Sequence, residues 1–167
     1  MTAAQQSTRT ATVTKPGDRE IHIQRIFDAP RERVFAVFTD PELIPQWYGP
    51  RGTAPEVVEM DVATGGDWKF VMHNDDGSTT SFRGTYREVT PPERIVQTFE
   101  WDGMPGHVAV ETAVFEDLGD GRTKVVTTTL FHTTEERDGM LGSGMEGGMN
   151  ETYQRLDELL ERLAGEA

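Results

Sequence analysis

From residue 55 to residue 132 the chain repeats one pattern, a run of alternating apolar and polar residues followed by a short turn. The runs are PEVVEMDV (55–62), WKFVMH (68–73), TSFRGTYREV (80–89), RIVQTFEW (94–101), VAVETAVFED (108–117) and TKVVTTTLFH (123–132). A period of two marks half-buried strands. Asn74-Asp75-Asp76-Gly77 and Gly119-Asp120-Gly121 between such runs are hairpin signals. The connections are too short for crossover helices, so the strands are predicted to pair antiparallel. A sheet of this kind has an apolar face that another element must cover.

The C-terminal segment supplies the cover. Met145, Met149, Tyr153 (or Thr152), Leu156, Leu160 and Leu163 recur at helical spacing. Glu151, Arg155, Glu158, Glu161 and Arg162 occupy the other side. Ser143 with Glu146 has capping-box spacing, and Gly165 is a plausible stop. The sheet must curve to wrap this helix, and Gly65, Gly66 and Gly84 are the expected bend points. Just before it, residues 134–148 carry five glycines and read as a flexible loop, or as a gate over 139–148.

At the other end, REIHIQRIF (19–27) reads as a first strand with Ile21, Ile23 and Phe27 on one face. Pro30 suits a first helical turn, and Val34, Phe35 and Phe38 continue a short helix. Thr39 or Asp40 is placed to cap a second brief helix that ends near Trp47-Tyr48-Gly49-Pro50. Residues 1–18 are polar and Thr-rich and read as a mobile tail before one domain, 19–165. The predicted architecture is therefore α+β: about six or seven antiparallel strands, two short helices after the first, and a long helix last.

Composition removes several function classes. The net charge is −13, with 29 acidic against 16 basic residues, and no basic stripe offsets it. Such a surface repels phosphate backbones, so nucleic acid is not an expected partner. No apolar run is long enough for a membrane-spanning helix. The chain has no cysteine, which excludes disulfides and cysteine-held metals. The N-terminus lacks a basic start followed by an apolar stretch, so the expected location is cytoplasmic. Monomer and homodimer both remain open.

Four stretches carry a resemblance: FDAPRERVFAVFTDPELIPQWYGP (27–50), DVATGGDWKFVMHNDDG (61–77), FRGTYREVTPPERIVQTFEW (82–101) and MNETYQRLDELLERL (149–163). In this order and spacing the chain resembles the START-like superfamily, also called SRPBCC or helix-grip. Within it, the chain is similar to the family of the C-terminal domain of the activator of heat-shock-protein-90 ATPase. The resemblance implies a sheet gripping the last helix, with a deep cavity between them. It covers small-molecule carriers and sensors, polyketide cyclase relatives, stress-response proteins and the chaperone activator. The eukaryotic-type activator carries a further N-terminal domain that 18 polar residues do not supply.

The candidate cavity lining is Trp47, Tyr48, Trp68, Phe70, Met72, Phe99, Trp101, Met145, Met149 and Tyr153. Methionines adapt to varied ligand shapes, and Tyr and Trp join an apolar body to a polar tip. The bland alternative is that these side chains pack against one another as core. Periodicity alone favours that alternative; the helix-grip resemblance brings the balance to even or better for a cavity. The expected space lies between Trp68–Met72, Phe99–Trp101 and Met145–Tyr153.

The histidines, His22, His73, His107 and His132, show no helical metal spacing. No metal or cofactor is expected. His73 and His132, at strand ends, and Glu100 and Glu111, within strands, are the acid–base candidates. An inward register would bury such a carboxylate and raise its pKa, although a solvent-facing register is the commoner case. The leading expectation is binding of a small hydrophobic or aromatic ligand, related to transport or stress response. The alternatives are a cyclase- or hydrolase-type enzyme using a buried carboxylate or histidine, and a chaperone-activator-like interaction module.

Overall fold

The computed structural model describes residues 11–166. One eight-stranded antiparallel sheet forms the body. In chain order the strands are β1 (Thr12–Thr14), β2 (Glu20–Phe27), β3 (Glu56–Met60), β4 (Asp67–His73), β5 (Thr79–Thr90), β6 (Arg94–Trp101), β7 (Ala109–Asp117) and β8 (Thr123–Leu130). Their spatial order is β1-β2-β8-β7-β6-β5-β4-β3. Helix α1 (Arg31–Thr39) and a 3-10 turn (Ile44–Gln46) follow β2, and α2 (Thr134–Gly142) and α3 (Met145–Glu166) close the chain. This is the helix-grip arrangement expected from the alternation and the C-terminal stripe.

Three expectations are corrected. Residues 12–14, read as part of a mobile tail, form β1 and pair with β2 through Val13 opposite Ile23. This edge strand brings the count to eight rather than six or seven; residues 1–10 lie outside the described region. The second brief helix is only a 3-10 turn, with Asp40 accepting a hydrogen bond from the Glu42 N–H at 2.9 Å. The glycine-rich segment is not a loop, because residues 134–142 are helical.

Local bonds explain why that helix forms despite its glycines. The Thr133 hydroxyl accepts from the Glu136 N–H at 3.1 Å and donates to the Glu136 carboxylate at 2.8 Å. This satisfies a first-turn donor that would otherwise be orphaned. Buried Arg137 donates to the Gly17 carbonyl at 2.6 Å and to the Glu20 carbonyl at 3.2 Å, tying α2 to the start of β2. Gly144, at φ +81°, then breaks α2 from α3. Ser143 donates to the Met140 carbonyl at 2.6 Å, so it serves the end of α2 rather than capping α3.

The core lies between the concave face of the sheet and α1, the 3-10 turn and α3. Phe27, Val34, Trp68, Phe115, Val125 and Leu156 are almost fully buried. On α3 the buried stripe is Leu156, Leu159 and Leu160, with Tyr153 and Leu163 packed against it. One charged residue also faces inward. Arg25 on β2 is 2% exposed and grips Asp157 of α3 through two bonds of 2.6 and 3.1 Å. Its guanidinium lies 4.7 Å from the Phe27 ring centroid, a cation–π contact. Gly84 admits a close crossing: a Cβ there would run into the Thr98 carbonyl and the Trp68 indole nitrogen.

Candidate functional site

Strand alternation decides which side chains reach the concave face. On β6 and β7 the inward positions are Ile95, Gln97, Phe99 and Trp101, and Ala109, Glu111, Ala113 and Phe115. The register places Gln97 beside Tyr86 of β5 and Glu111 of β7, and Glu111 beside Thr129 of β8. A polar row therefore crosses four strands. The next inward positions are apolar: Phe99 pairs with Ala109, and Trp101 pairs with Phe82 of β5.

Two spaces flank that boundary. Deeper in, a cavity of about 90 Å³ is lined by Trp47, Tyr48, Phe70, Tyr86, Gln97 and Glu111, with Phe38, Met60 and Thr127 among its other walls. Toward the end of the sheet, a groove of about 470 Å³ opens between β6, β7, the end of β8 and α2. Phe99, Trp101, Met104, Ala109, Phe131 and Met140 give it an apolar wall. His107, His132, Glu135 and Glu136 stand at its rim. Phe99 and Ala109 at the inner wall are one inward position from Gln97 and Glu111, roughly 7 Å along the strands.

The expected lining residues divide between these spaces and the core. Trp47, Tyr48 and Phe70 line the inner cavity, and Phe99 and Trp101 line the groove. Trp68 is a core residue, 1% exposed, packed on Phe70 and Phe99 with centroids at 4.9 and 6.0 Å. Tyr153 packs edge-on against Phe27 at 5.6 Å. Met72, Met145 and Met149 are partly buried and line neither space. The larger space is therefore displaced from the expected position, because α2 rather than the start of α3 forms its outer wall.

Among the acid–base candidates, Glu111 points inward. Glu111 is partly buried in the wall of the inner cavity, and that desolvation pushes its carboxyl up to about 7, with no charged group or hydrogen bond among the described residues to offset it. Burial likewise raises the Tyr48 phenol, with Glu111 adding to the effect, and lifts that of Tyr153 to about 12. Glu100 has the opposite register. It accepts from the Gly106 N–H at 2.8 Å and from Arg83 at 3.3 Å, which together hold it below the usual carboxylate range. His73 also faces outward, 2.8 Å from Glu56 on β3. His132 reaches the groove rim, its ring 5.1 Å from that of His107. His107 lies 2.9 Å from Glu136, so the β6–β7 loop is linked to α2 across the groove.

The sequence reading missed Gln97, Met104, His107, Phe131 and Met140. Gln97 was legible from the same alternation that placed Phe99 inward. Met104 and His107 sit in a loop with no periodicity, and Met140 lies in a glycine-rich stretch whose composition masks the helix. Among the described residues, no three His, Asp or Glu side chains gather to hold a metal. No described helix is long and apolar enough to cross a membrane.

The model of the family described as activator of Hsp90 ATPase homolog 1-like protein matches residues 28–161. The chain belongs to that family. Solved structures agree with the fold. A crystal structure of a Rhodobacter sphaeroides protein superposes with a TM-score of 0.85 at 25% identity, covering 91% of this chain and 99% of that one. A solution structure from Staphylococcus epidermidis gives 0.77 at 28% identity, over 90% and 94% of the two chains. An AHSA1 protein from Silicibacter pomeroyi gives 0.68 at 23% identity, over 89% and 99%. No curated protein matches the chain.

Proposed function

We propose that this family member binds a small apolar or aromatic molecule in the groove between the ends of β6–β8 and α2. One observation carries the reading: an apolar space of about 470 Å³ opens on the concave face, its Phe99 and Ala109 one inward strand position from the polar pair Gln97 and Glu111. That size and lining suit a small-molecule site. Trp101, Met104 and Met140 are 42%, 38% and 39% exposed, so large apolar side chains concentrate where a ligand would cover them. Gly139 of α2 offers the test, because a side chain there enters open space. Gly139→Trp is expected to fill the groove without destabilising the helix, since glycine is a poor helix former by about 1 kcal/mol. A panel of lipids and aromatic polyketides, read by thermal shift, should move the wild type and leave this variant unmoved. No response of the wild type to any member rejects the reading.

Glu111 favours a second reading, acid–base catalysis on a bound molecule. A carboxyl titrating near neutrality is suited to exchange protons at working pH. Turnover of an aromatic polyketide that disappears in Glu111→Gln, with binding retained, is the expected result. Equal turnover in the two proteins eliminates it.

A further inference from the structure

The inner cavity has an uneven chemistry. Its walls are aromatic and aliphatic, and its polar groups are phenols, an amide, a hydroxyl and one acid. No basic residue lines it among the described residues. The basic residue of neighbouring β2, Arg25, is already held bidentately by Asp157. Glu111 thus faces a small aromatic-walled space with its charge uncompensated. We infer that the inner cavity receives the cationic end of a hydrophobic primary amine, whose ammonium pairs with Glu111 while its apolar body lies in the groove.

Three features support this assignment. Tyr48, Trp47, Phe70 and Tyr86 line the same space as the acid, and aromatic rings attract cations most strongly when water is excluded. The volume, about 90 Å³, holds a few waters or a small head group rather than a whole ligand. The net charge of −13 favours the approach of cations and disfavours anions. Charge, size and lining thus select the same end group. An amine also resolves what the protein leaves open, because a buried charge is tolerated when paired and costly when alone.

The inference rests on the groove being a ligand site, and the test separates the two claims. Three probes share one ring system: 2-naphthylmethylamine, 2-naphthalenemethanol and 2-naphthoate. Titration calorimetry at pH 8 should rank the amine at least tenfold tighter than the alcohol, with the carboxylate weakest. Glu111→Gln and Glu111→Leu, each checked for a cooperative melt, should remove the amine's advantage and leave the alcohol's affinity within about twofold. Tyr48 and Tyr86 share the cavity with Glu111, Tyr153 feels its charge, and Arg25, paired with Asp157, stands 5.8 Å from the Tyr153 ring. The raised phenols stay neutral at pH 6–8, so the amine's advantage should grow across that range with ionisation of Glu111. Equal affinity for amine and alcohol, an advantage that survives both substitutions, or no binding of any probe overturns the inference. A lipid or polyketide that still shifts the wild type but not Gly139→Trp would then leave the groove reading standing.

Discussion

The two halves of the concave face use the same strands and the same alternation, yet one is closed and the other open. Over the closed half, α1 and the 3-10 turn bring Phe35, Phe38, Ile44 and Trp47 down onto Phe115 and Ile95. Phe115 meets Phe35 and Phe38 edge-on, both with centroids at 5.2 Å. Over the open half the covering helix is α2, which presents Gly139, Met140 and Ser143 to the groove. A glycine has nothing to insert, so Phe99 packs sideways on Phe82 and Trp68 and Trp101 stays 42% exposed. The element laid over the sheet, and the size of its side chains, therefore decides whether an apolar stripe becomes core or cavity.

The largest break in that contrast is expected on the closed side. Phe115→Ala removes a ring that is 1% exposed and contacted on two edges, and should cost about 3–5 kcal/mol in denaturant unfolding. A loss below about 1 kcal/mol would mean that this half is no better packed than the groove. Next comes the clamp between β2 and α3. Asp157→Ala leaves the Arg25 guanidinium buried with its Ile26 carbonyl bond at 2.9 Å but no counter-charge. Because Asp157 is 24% exposed, the expected cost is about 2–3 kcal/mol, below that of a fully buried pair.

Glu111 lies at the boundary, and its substitution should have the opposite sign. Burial raises its carboxyl from 4.5 to about 7, so between those values the folded chain binds more protons than the unfolded one. Its contribution to stability therefore falls as pH rises through that window. The shift corresponds to about 3 kcal/mol, and an unpaired buried amide returns part of it. Glu111→Gln is thus expected to stabilise the protein by about 1–2 kcal/mol at pH 8 and to lose that advantage at pH 4. Melting curves at the two pH values check this, and a destabilised variant at pH 8 would mean that the carboxylate is stabilised by its surroundings.

Much of the closed half was legible in the sequence. Alternation through 94–101 puts Ile95 on the same face as Phe99 and Trp101, and the helical spacing of Val34, Phe35 and Phe38 announces the short helix that covers it. The open half was less legible. Five glycines between residues 134 and 148 argue against a helix by propensity; the Thr133–Glu136 capping box that opposes them is local, whereas the Arg137 tether to Gly17 and Glu20 is a tertiary contact. Without α2 in place, the cavity was expected against Met145 and Met149, one helix too far along the chain. The register of Glu111 was uncertain for a different reason. A lone carboxylate on the apolar face violates the usual pattern, and the sequence shows the violation without showing which way the strand turns. Exposed β1 carries only Thr12, Val13 and Thr14, too short a run for alternation to announce.

The smallest effect on stability is expected on the groove's outer wall, where the comparison can be sharpened. Trp101 is 42% exposed and stands in register with Phe82 at the end of β6. If the groove were loosely packed core, Trp101→Ser would behave as a mild version of Phe115→Ala and cost more than 1 kcal/mol. If it is an open binding wall, the indole contributes little in the free protein, and the loss should stay within about 0.5 kcal/mol. The same change should weaken an aromatic ligand by about tenfold, because a large ring face is then missing from the site. Denaturant unfolding without ligand and titration with ligand measure the two quantities separately. A tryptophan that matters to binding but scarcely to folding belongs to a site, whereas one that matters equally to both belongs to the core.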